Sequence, residues 1–244
     1  MNTHYTSQSL SIVIPIYNEE EILMDSASQI LAICEKTKIS YEIILVENGS
    51  TDETIRIAYS LSENNSSIRV VSLKYPNYGN ALKEGFLEAK NDLVVSFDID
   101  YFSEFFLNEA LSLDKDFAAI TASKRMQDSR DDRRIVRKVA TKLFVLILKT
   151  LFDTDLSDTH GMKAIRKKHI DEHIDKVIST QDLFDTELLL RIEKSNQKIK
   201  EVPAKVNEIR PSVSVIYKRI PRTLVALAKL KFYFSREDLN TKSL

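Results

Sequence analysis

Residues 10–20 read LSIVIPIYNEE, a continuous apolar run that turns acidic at its end. A short apolar run of this kind predicts a buried strand over residues 10–16. Glu19 and Glu20 then indicate the start of a helix, because acidic side chains favour the N-terminal turn of a helix. The segment therefore predicts the strand and following helix of an α/β fold.

The same alternation continues along the first half of the chain. Further strands are predicted near residues 41–47, 68–73, 92–98 and 117–122, and helices near residues 19–36, 52–63, 79–89 and 103–112. Strands separated by helices in this way form a mainly parallel sheet with right-handed crossover connections. Ligands of such sheets lie at the carboxyl ends of the strands. At that edge the sequence places Tyr17, Glu47, Asn48 and Asp98.

The second half of the chain is less regular. A helix is predicted over about residues 130–152 and a return strand near residues 161–165. A helix over about residues 183–195, a strand over 199–209 and a last helix over about 221–234 follow. No internal repeat, low-complexity tract or obvious linker interrupts the sequence, so a single domain over residues 1–244 is expected.

The composition argues against several classes of protein. The 244 residues are 43% apolar, enough for a sizeable core, and a net charge of −1 with a pI near 6.5 argues against a nucleic-acid binder. The apolar run at residues 143–148 is far below the ~20 residues that span a bilayer, and the polar residues 1–9 do not resemble a signal peptide. Cys34 is expected to be a buried thiol in a reducing cytoplasm.

Two carboxylates end the fourth predicted strand. Asp98 and Asp100 follow the run at residues 93–97, and alternate strand residues face the same way, so both side chains can converge on one cation. Such oxygen ligands suit Mg²⁺ or Mn²⁺ and leave positions for a diphosphate. A divalent cation neutralises the charge that develops on a departing nucleoside diphosphate. The pair therefore predicts a metal site, although acidic residues after strands also serve as loop residues or helix caps.

Three motifs carry a family resemblance. Pro-x-Tyr-Asn-Glu occupies residues 15–19, acidic-Asn-Gly-Ser-x-Asp-x-Thr residues 47–54, and Asp-x-Asp residues 98–100. In order and spacing they resemble the GT-A glycosyltransferases of family 2, and within that family the dolichyl-phosphate or polyprenyl-phosphate mannose synthase and glucosyltransferase branch. Residues 78–85, 156–164 and 200–203, the last leading to 210–212, resemble the same branch.

The resemblance implies a GT-A fold, with a Rossmann-like, mainly parallel sheet flanked by helices and a C-terminal acceptor-side region of helices and strands. Residues of about 10–123 would bind the nucleotide sugar, and about 124–244, with amphipathic helices, the acceptor. The candidate donor-binding residues are Pro15, Tyr17, Asn18, Glu19, Val46, Glu47, Asn48, Lys74, Asn80, Lys83, Asp98, Ile99, Asp100 and Arg210. Among them, Lys74, Asn80 and Lys83 are candidates because they follow the third predicted strand. For Lys74, Asn80 and Lys83 a solvated surface position is the alternative.

The implied catalytic residues are Asp98, Asp100 and Arg210. The two carboxylates would hold the metal, and the guanidinium of Arg210 would fold over the diphosphate on a mobile flap. Glu47-Asn48 stands where the family usually has Asp-Asp. The additional methylene and the lost charge leave the base and ribose contacts of the donor open. A turn and a helix N-cap are the structural interpretation of residues 48–52, and both roles are compatible.

A row of arginines predicts the acceptor side. The row consists of Arg130, Arg133, Arg134 and Arg137, spaced as one face of a helix, beside an apolar side of Ile135, Val139, Leu143 and Ile147. A basic stripe beside an apolar one fits a phosphate on a lipid carrier at a membrane surface. The alternative is an ordinary amphipathic helix with solvated arginines and a core face. Residues 218–234 also combine cations with apolar residues, which predicts an interfacial helix, a packed terminal helix or a dimer contact.

Asp182 and Asp185 open a predicted helix where hydroxyl-transferring relatives place their general base. An alcohol acceptor must lose a proton, whereas a phosphate monoester is already ionised near neutral pH. With a lipid phosphate these two residues would cap the helix or bind the acceptor. His160 is expected to be structural or pocket-lining, because the four histidines lack zinc-ligand spacing.

These features predict an inverting, metal-dependent glycosyltransferase that moves a hexose from GDP-mannose or UDP-glucose to a polyprenyl or dolichyl phosphate. We expect a peripheral protein at the cytoplasmic face of a membrane, without a transmembrane segment and compatible with a homodimer. One alternative is a family 2 enzyme that acts on a glycan hydroxyl. Another is a catalytically silent scaffold that binds nucleotide sugars.

Overall fold

The computed structural model describes residues 9–131, 135–206 and 216–242. Its strands are β1 Ser9–Ile16, β2 Ser40–Asn48, β3 Ile68–Leu73, β4 Leu93–Ser96, β5 Phe117–Ser123, β6 Arg130–Asp131, β7 Lys163–Arg166, β8 Lys198–Pro203 and β9 Lys205–Val206. Its helices are α1 Leu23–Thr37, α2 Thr54–Asn64, α3 Tyr78–Glu88, α4 Glu104–Leu111, α5 Ile135–Phe152, α6 Lys167–His173, α7 Phe184–Lys194 and α8 Ile216–Lys242. Two 3₁₀ turns cover Ile174–Lys176 and Gln181–Leu183.

Seven strands form one mixed sheet in the order β3-β2-β1-β4-β7-β5-β8. Strands β1 to β4 pair in parallel with one another, as the alternation of strands and helices predicts. Strand β7 lies antiparallel between β4 and β5, and β8 is parallel to β5. The carboxyl ends of β1, β2 and β4 therefore meet at one edge of the sheet. This mixed, helix-flanked sheet confirms the expected α/β architecture.

The strands are buried on both faces, which explains the apolar run of β1. Successive strand residues point to opposite faces. Ile12 and Ile14 pack in a cluster that includes Phe106 of α4, whereas Val13 packs in a second cluster that includes Phe86 of α3. Helices α1, α2 and α4 contribute to the first cluster, and α3 and α7 to the second. Helices packed on both faces of the sheet thus hold the strands, and with them the carboxyl-end edge, in place.

The predicted helix over residues 130–152 starts later than expected. Arg130–Asp131 forms β6, which pairs in parallel with Lys205–Val206. Helix α5 begins only at Ile135. The arginine row is therefore wrong as one continuous helix face, because strand pairing with a distant segment holds Arg130 in an extended conformation. Helical spacing in the sequence could not anticipate that pairing.

Other boundaries in the second half also differ. The strand predicted over residues 199–209 is divided into β8 and β9 within the described residues, and residues 207–209 lie outside them. Helix α8 is longer than predicted and contains Pro221. Helix α6 was not predicted, since its sequence KKHIDEH is short and mostly polar.

Helices α5, α7 and α8 form a separate small core. Leu148, Leu190 and Leu230 are buried there, and the rings of Phe152 and Phe234 meet edge to face at 5.6 Å. Within the described part of the chain, no helix combines the length and the apolar character needed to cross a bilayer. The small core therefore attaches two amphipathic helices to the sheet domain.

Candidate active site

The loops after β1 and β2 are joined by hydrogen bonds at the sheet edge. Asn18 adopts a positive φ of 53°, its N–H donates to the Ser50 hydroxyl at 3.1 Å, and its Oδ1 accepts from the Thr51 N–H at 2.8 Å. The Glu19 N–H donates to Thr54 Oγ1 at 2.7 Å. Tyr17 is exposed at the end of this loop. The Pro-x-Tyr-Asn-Glu and Asn-Gly-Ser motifs are thus parts of one structure.

Glu47 and Asn48 are both buried and both hydrogen-bonded within the protein. The carboxylate of Glu47 accepts from the Ser50 N–H and, at 2.9 Å, from the Ser72 hydroxyl. Asn48 Oδ1 accepts from the Asn77 N–H at 2.8 Å. The longer carboxylate at position 47 therefore braces the loop after β2 against β3. The amide at position 48 connects β2 to the start of α3.

The remaining donor-side candidates differ in position. Pro15 and Val46 face each other in the β1–β2 register and are buried, with the Val46 side chain beside Gly85 in the core. Lys74 is exposed, and its ammonium lies 5.3 Å from the Tyr75 ring centre. Along α3, Asn80 is exposed and Lys83 is half-buried. Because Pro15 and Val46 are buried, they could contact a ligand at the edge only through their backbone atoms.

Asp98 and Asp100 lie on one tight turn after β4. The Asp98 N–H donates to the Tyr101 carbonyl at 3.3 Å, and the Tyr101 N–H donates to the Asp98 carbonyl at 3.0 Å. Ile99 is buried between them and anchors the turn in the core, while Asp100 is exposed. Anchoring of the middle residue leaves both carboxylates at the sheet edge.

The Asp98 carboxylate lies in a partly buried, polar environment. Its Oδ1 accepts a hydrogen bond from the Tyr78 hydroxyl at 2.9 Å. Burial raises the pKa of Asp98 and the negative charge of Asp100 raises it further, while Tyr78 and Lys163 act in the opposite direction. Burial and the Asp98 carboxylate also raise the pKa of Tyr78 well above its ordinary value, so the phenol remains a donor. A cation bound here would stabilise the ionised form of Asp98.

The donor set fits a metal that is shared with substrate. Among residues 9–131, 135–206 and 216–242, no group of three or more His, Cys, Asp or Glu side chains gathers around one point. Asp98 and Asp100 would therefore supply two carboxylates, and phosphate oxygens or water the remaining ligands. That arrangement is typical of Mg²⁺, which is usually bound through one or two carboxylates together with substrate phosphates.

Two lysines that sequence reasoning missed lie close to this turn. Lys163 Nζ is 2.9 Å from Asp185 Oδ2 and donates to the Gly161 carbonyl at 2.8 Å. Lys124 Nζ donates to the His160 carbonyl at 2.9 Å. Both positive charges favour the ionised form of Asp98. A lysine in the otherwise apolar return strand was the available signal for Lys163.

Asp182 and Asp185 each form an ion pair within the protein. Asp182 forms an ion pair with Arg222 of α8. Burial opposes ionisation of Asp185, but the charges of Lys163 and His160 outweigh it and lower the pKa of Asp185. Both carboxylates are therefore paired with cations, whereas a general base needs a carboxylate that is free to accept a proton.

His160 connects the site to α5. Its Nε2 lies 3.2 Å from the Asp182 carbonyl, and its ring meets Phe144 edge to face at 5.0 Å. Arg133, Arg134 and Arg210 lie outside the described residues, and only the backbone of Arg130 and Arg137 is described.

A row of apolar side chains on α5 is exposed. The fractional exposures are 77% for Ile135, 57% for Val139, 55% for Leu143 and 61% for Leu146. Ile147 instead packs against the small core. The predicted apolar side of this helix is thus mostly a surface, and the interpretation as a core face is wrong for Ile135, Val139 and Leu143. We call Ile135, Val139, Leu143 and Leu146 the α5 apolar stripe.

The sequence that builds this edge of the sheet matches a known protein family. A family model described as Glycosyl transferase family 2 matches residues 11–174. The chain belongs to this family. The matched region contains the loops after β1, β2 and β4 as well as the motif around His160.

The chain is similar to two curated glycosyltransferases, one of which is named for undecaprenyl phosphate. The undecaprenyl-phosphate 4-deoxy-4-formamido-L-arabinose transferase of Sodalis glossinidius is 38% identical over 102 residues, which are 41% of this chain and 31% of that protein. Glycosyltransferase AglD of Haloferax volcanii is 28% identical over 201 residues, 80% of this chain and 32% of that protein. The chain thus spans about a third of the length of these two relatives.

Solved structures share the fold. Glucosyl-3-phosphoglycerate synthase from Mycobacterium tuberculosis, in complex with Mn²⁺, UDP and glucosyl-3-phosphoglycerate, has a TM-score of 0.67 at 20% identity, covering 92% of this chain and 80% of that one. The same enzyme with Mg²⁺ and UDP has a TM-score of 0.65 at 18% identity, covering 92% and 79%. At this identity the likeness establishes the GT-A fold.

Proposed function

We propose that the protein is an inverting, metal-dependent glycosyltransferase that transfers a hexose from a nucleotide sugar to a polyprenyl phosphate. The observation that carries the proposal is the turn that presents Asp98 and Asp100 at the sheet edge, beside the joined loops of Asn18 and Asn48. Family membership and the named activity of the undecaprenyl-phosphate relatives support the acceptor class.

In this proposal Asp98 and Asp100 hold Mg²⁺ or Mn²⁺ against the donor diphosphate. The metal, when bound, neutralises the charge that grows on the leaving nucleoside diphosphate. Lys163 and Lys124 add fixed positive charge near Asp98. Arg210, which follows β9 in the sequence and lies outside the described residues, would add a further cation on the diphosphate side.

The acid–base properties of the site favour a phosphate acceptor over a glycan hydroxyl. A phosphate monoester attacks without losing a proton to a base, so a single in-line displacement is sufficient. Asp182 is paired with Arg222, and Asp185 is paired with Lys163 and has a lowered pKa. A hydroxyl acceptor would need a free carboxylate as its general base, and neither Asp182 nor Asp185 is free of a cationic partner.

The acceptor would approach along α5. Phe144 of this helix contacts His160, whose carbonyl accepts from the Lys124 ammonium, so an apolar helix leads to a cation close to Asp98. The α5 apolar stripe is the surface through which a lipid carrier and a membrane would be contacted. GDP-mannose and UDP-glucose are the proposed donors, and the cytoplasmic face of a membrane is the proposed location.

Thermal unfolding with GDP-mannose or UDP-glucose, with and without Mn²⁺, tests the donor site. A ligand at 100 times its Kd stabilises by about 2.7 kcal/mol, so we expect a metal-dependent rise in Tm with one nucleotide class. Asp100→Asn should abolish the metal-dependent part, because its carboxylate is exposed and available. Asp116→Asn, an exposed aspartate after α4, is the matched control.

Transfer of labelled sugar to undecaprenyl phosphate then tests the acceptor. We expect product with wild type and Asp116→Asn, and at least about a hundred-fold less with Asp100→Asn, since metal ligands stabilise the departing charge. Donor binding without transfer to either lipid phosphates or glycans would contradict the proposal and favour a scaffold.

A further inference from the structure

Tyr78 contacts the Asp-x-Asp turn although it belongs to a different motif. It is the first residue of α3, and its hydroxyl donates to Asp98 Oδ1 at 2.9 Å. Tyr78 as a whole residue is 38% exposed, so it lies at the surface of the site rather than in the core. Of the two carboxylates on the turn, the hydroxyl contacts the one that is half-buried.

The backbone that carries Tyr78 is fixed from three directions. Asn77 caps α3, with its Oδ1 accepting from the Asn80 N–H at 3.2 Å. The same oxygen accepts from the Gln181 N–H at 3.1 Å, and the Asn77 N–H donates to Asn48 Oδ1 at 2.8 Å. The end of β2, the start of α3 and the turn at Gln181 therefore determine together where the tyrosine lies.

Gly79 allows the start of α3 to approach the turn at Gln181 closely. A Cβ at position 79 would lie 2.5 Å from the backbone N and O of Gln181, which real contacts do not allow. Gln181 itself has a positive φ of 58°, so the approaching turn is held in an uncommon backbone conformation. Such a rigid attachment is expected where the position of a side chain matters.

We propose that Tyr78 is a positioning residue of the metal–diphosphate site, where its hydroxyl fixes the Asp98 carboxylate and leaves the other carboxylate oxygen for the cation. This inference rests on the proposed function. A carboxylate held in one rotamer loses less conformational entropy when a cation binds. Without the hydroxyl, Asp98 would have to be ordered by the ligand itself.

Tyr78→Phe removes only the hydroxyl and keeps the ring. Tyr59→Phe, at a 46% exposed tyrosine on α2, is the matched control. Binding of Mn²⁺ in the presence of UDP or GDP is measured by the electron paramagnetic resonance signal of the free ion. We expect Tyr78→Phe to weaken Mn²⁺ binding about ten-fold, equivalent to about 1.4 kcal/mol. Tyr59→Phe should match wild type.

Two further readouts separate positioning from a structural role. Nucleotide binding without metal and the Tm should change little in Tyr78→Phe if the hydroxyl acts on the cation ligand. A lower Tm with unchanged Mn²⁺ affinity, or Mn²⁺ binding within two-fold of wild type, would overturn the inference while leaving the proposed function intact. Absence of Mn²⁺ binding by wild type with either nucleotide would overturn both.

Discussion

Lys163 and Asp185 form an ion pair, 2.9 Å from Nζ to Oδ2, with only 1% and 4% of their side chains exposed. Lys163 lies on β7, opposite Ser96 of β4 and Thr121 of β5 in the sheet register. The pair therefore places two full charges inside the protein beside the Asp98 turn. Buried charges are tolerated when each has its partner, and they are costly when one partner is removed.

Asp185→Ala should destabilise the protein strongly. It leaves the Lys163 ammonium buried, with the Gly161 carbonyl as its other hydrogen-bond acceptor. We expect a loss of about 3–5 kcal/mol in the free energy of unfolding, measured by urea denaturation. Asp171→Ala breaks an exposed pair with Lys167 and should cost less than about 1 kcal/mol. Equal losses in both variants would contradict the assigned burial of the Lys163–Asp185 pair.

The contribution of Asp185 should depend on pH in the acid range. Its pKa is lower in the folded protein than the ordinary value of 3.8, because the charges of Lys163 and His160 outweigh burial. A carboxylate with a depressed folded pKa contributes stability above its unfolded pKa and loses it as pH falls through the folded pKa. The stabilisation of wild type relative to Asp185→Asn should therefore be present at pH 5 and shrink below about pH 4. A difference that grows on acidification would contradict this sign.

Gly79→Ala tests the close contact between α3 and the turn at Gln181. The new Cβ would meet the Gln181 backbone at 2.5 Å, so the turn must move. We expect a destabilisation of about 1–3 kcal/mol, by analogy with overpacked cores. Leu87→Ala, at an exposed position of the same helix, should change stability by less than about 1 kcal/mol. Stability unchanged in Gly79→Ala would show that the turn is free to shift.

The first half of the fold was predictable because its signal is local. Strands β1 to β5 are short apolar runs, and the helices between them show helical spacing of apolar residues. The predicted type and the approximate bounds of each of these strands and helices were therefore correct. The insertion of β7 between β4 and β5 and the pairing of Arg130–Asp131 with β9 depend on contacts between distant segments. Periodicity along one stretch carries no information about such partners.

The same distinction applies to the site. The spacing of Asp98 and Asp100 and their position after a predicted strand were enough to predict a metal site. Tyr78 and Lys163 look like an ordinary helix-start residue and an ordinary strand residue, and only the folded chain brings them to Asp98. Glu47 and Asn48 were recognised as a departure from the family pattern. Their hydrogen bonds to Ser72 and Asn77 give that departure a structural basis.

The α5 apolar stripe should bind anionic membranes. Residues 135–152 contain cations but no acidic residue, and Ile135, Val139, Leu143 and Leu146 are all more than half exposed. An exposed apolar row on a helix whose charged residues are all cations suits the interface of an anionic membrane, where apolar side chains enter the hydrocarbon and cations contact the headgroups. We therefore expect the wild-type protein to co-sediment with phosphatidylglycerol vesicles, more weakly at high salt.

The double variant Leu143→Glu/Leu146→Glu tests this surface. A buried leucine side chain contributes about 1.5–3 kcal/mol, so removing two should lower vesicle binding by at least about ten-fold. Ile55→Glu, an exposed apolar residue on α2, should bind as wild type does and controls for the added charge. Donor binding should be the same in all three proteins, because the substitutions lie away from the Asp98 turn. Vesicle binding that survives the double substitution would place the membrane contact elsewhere on the molecule.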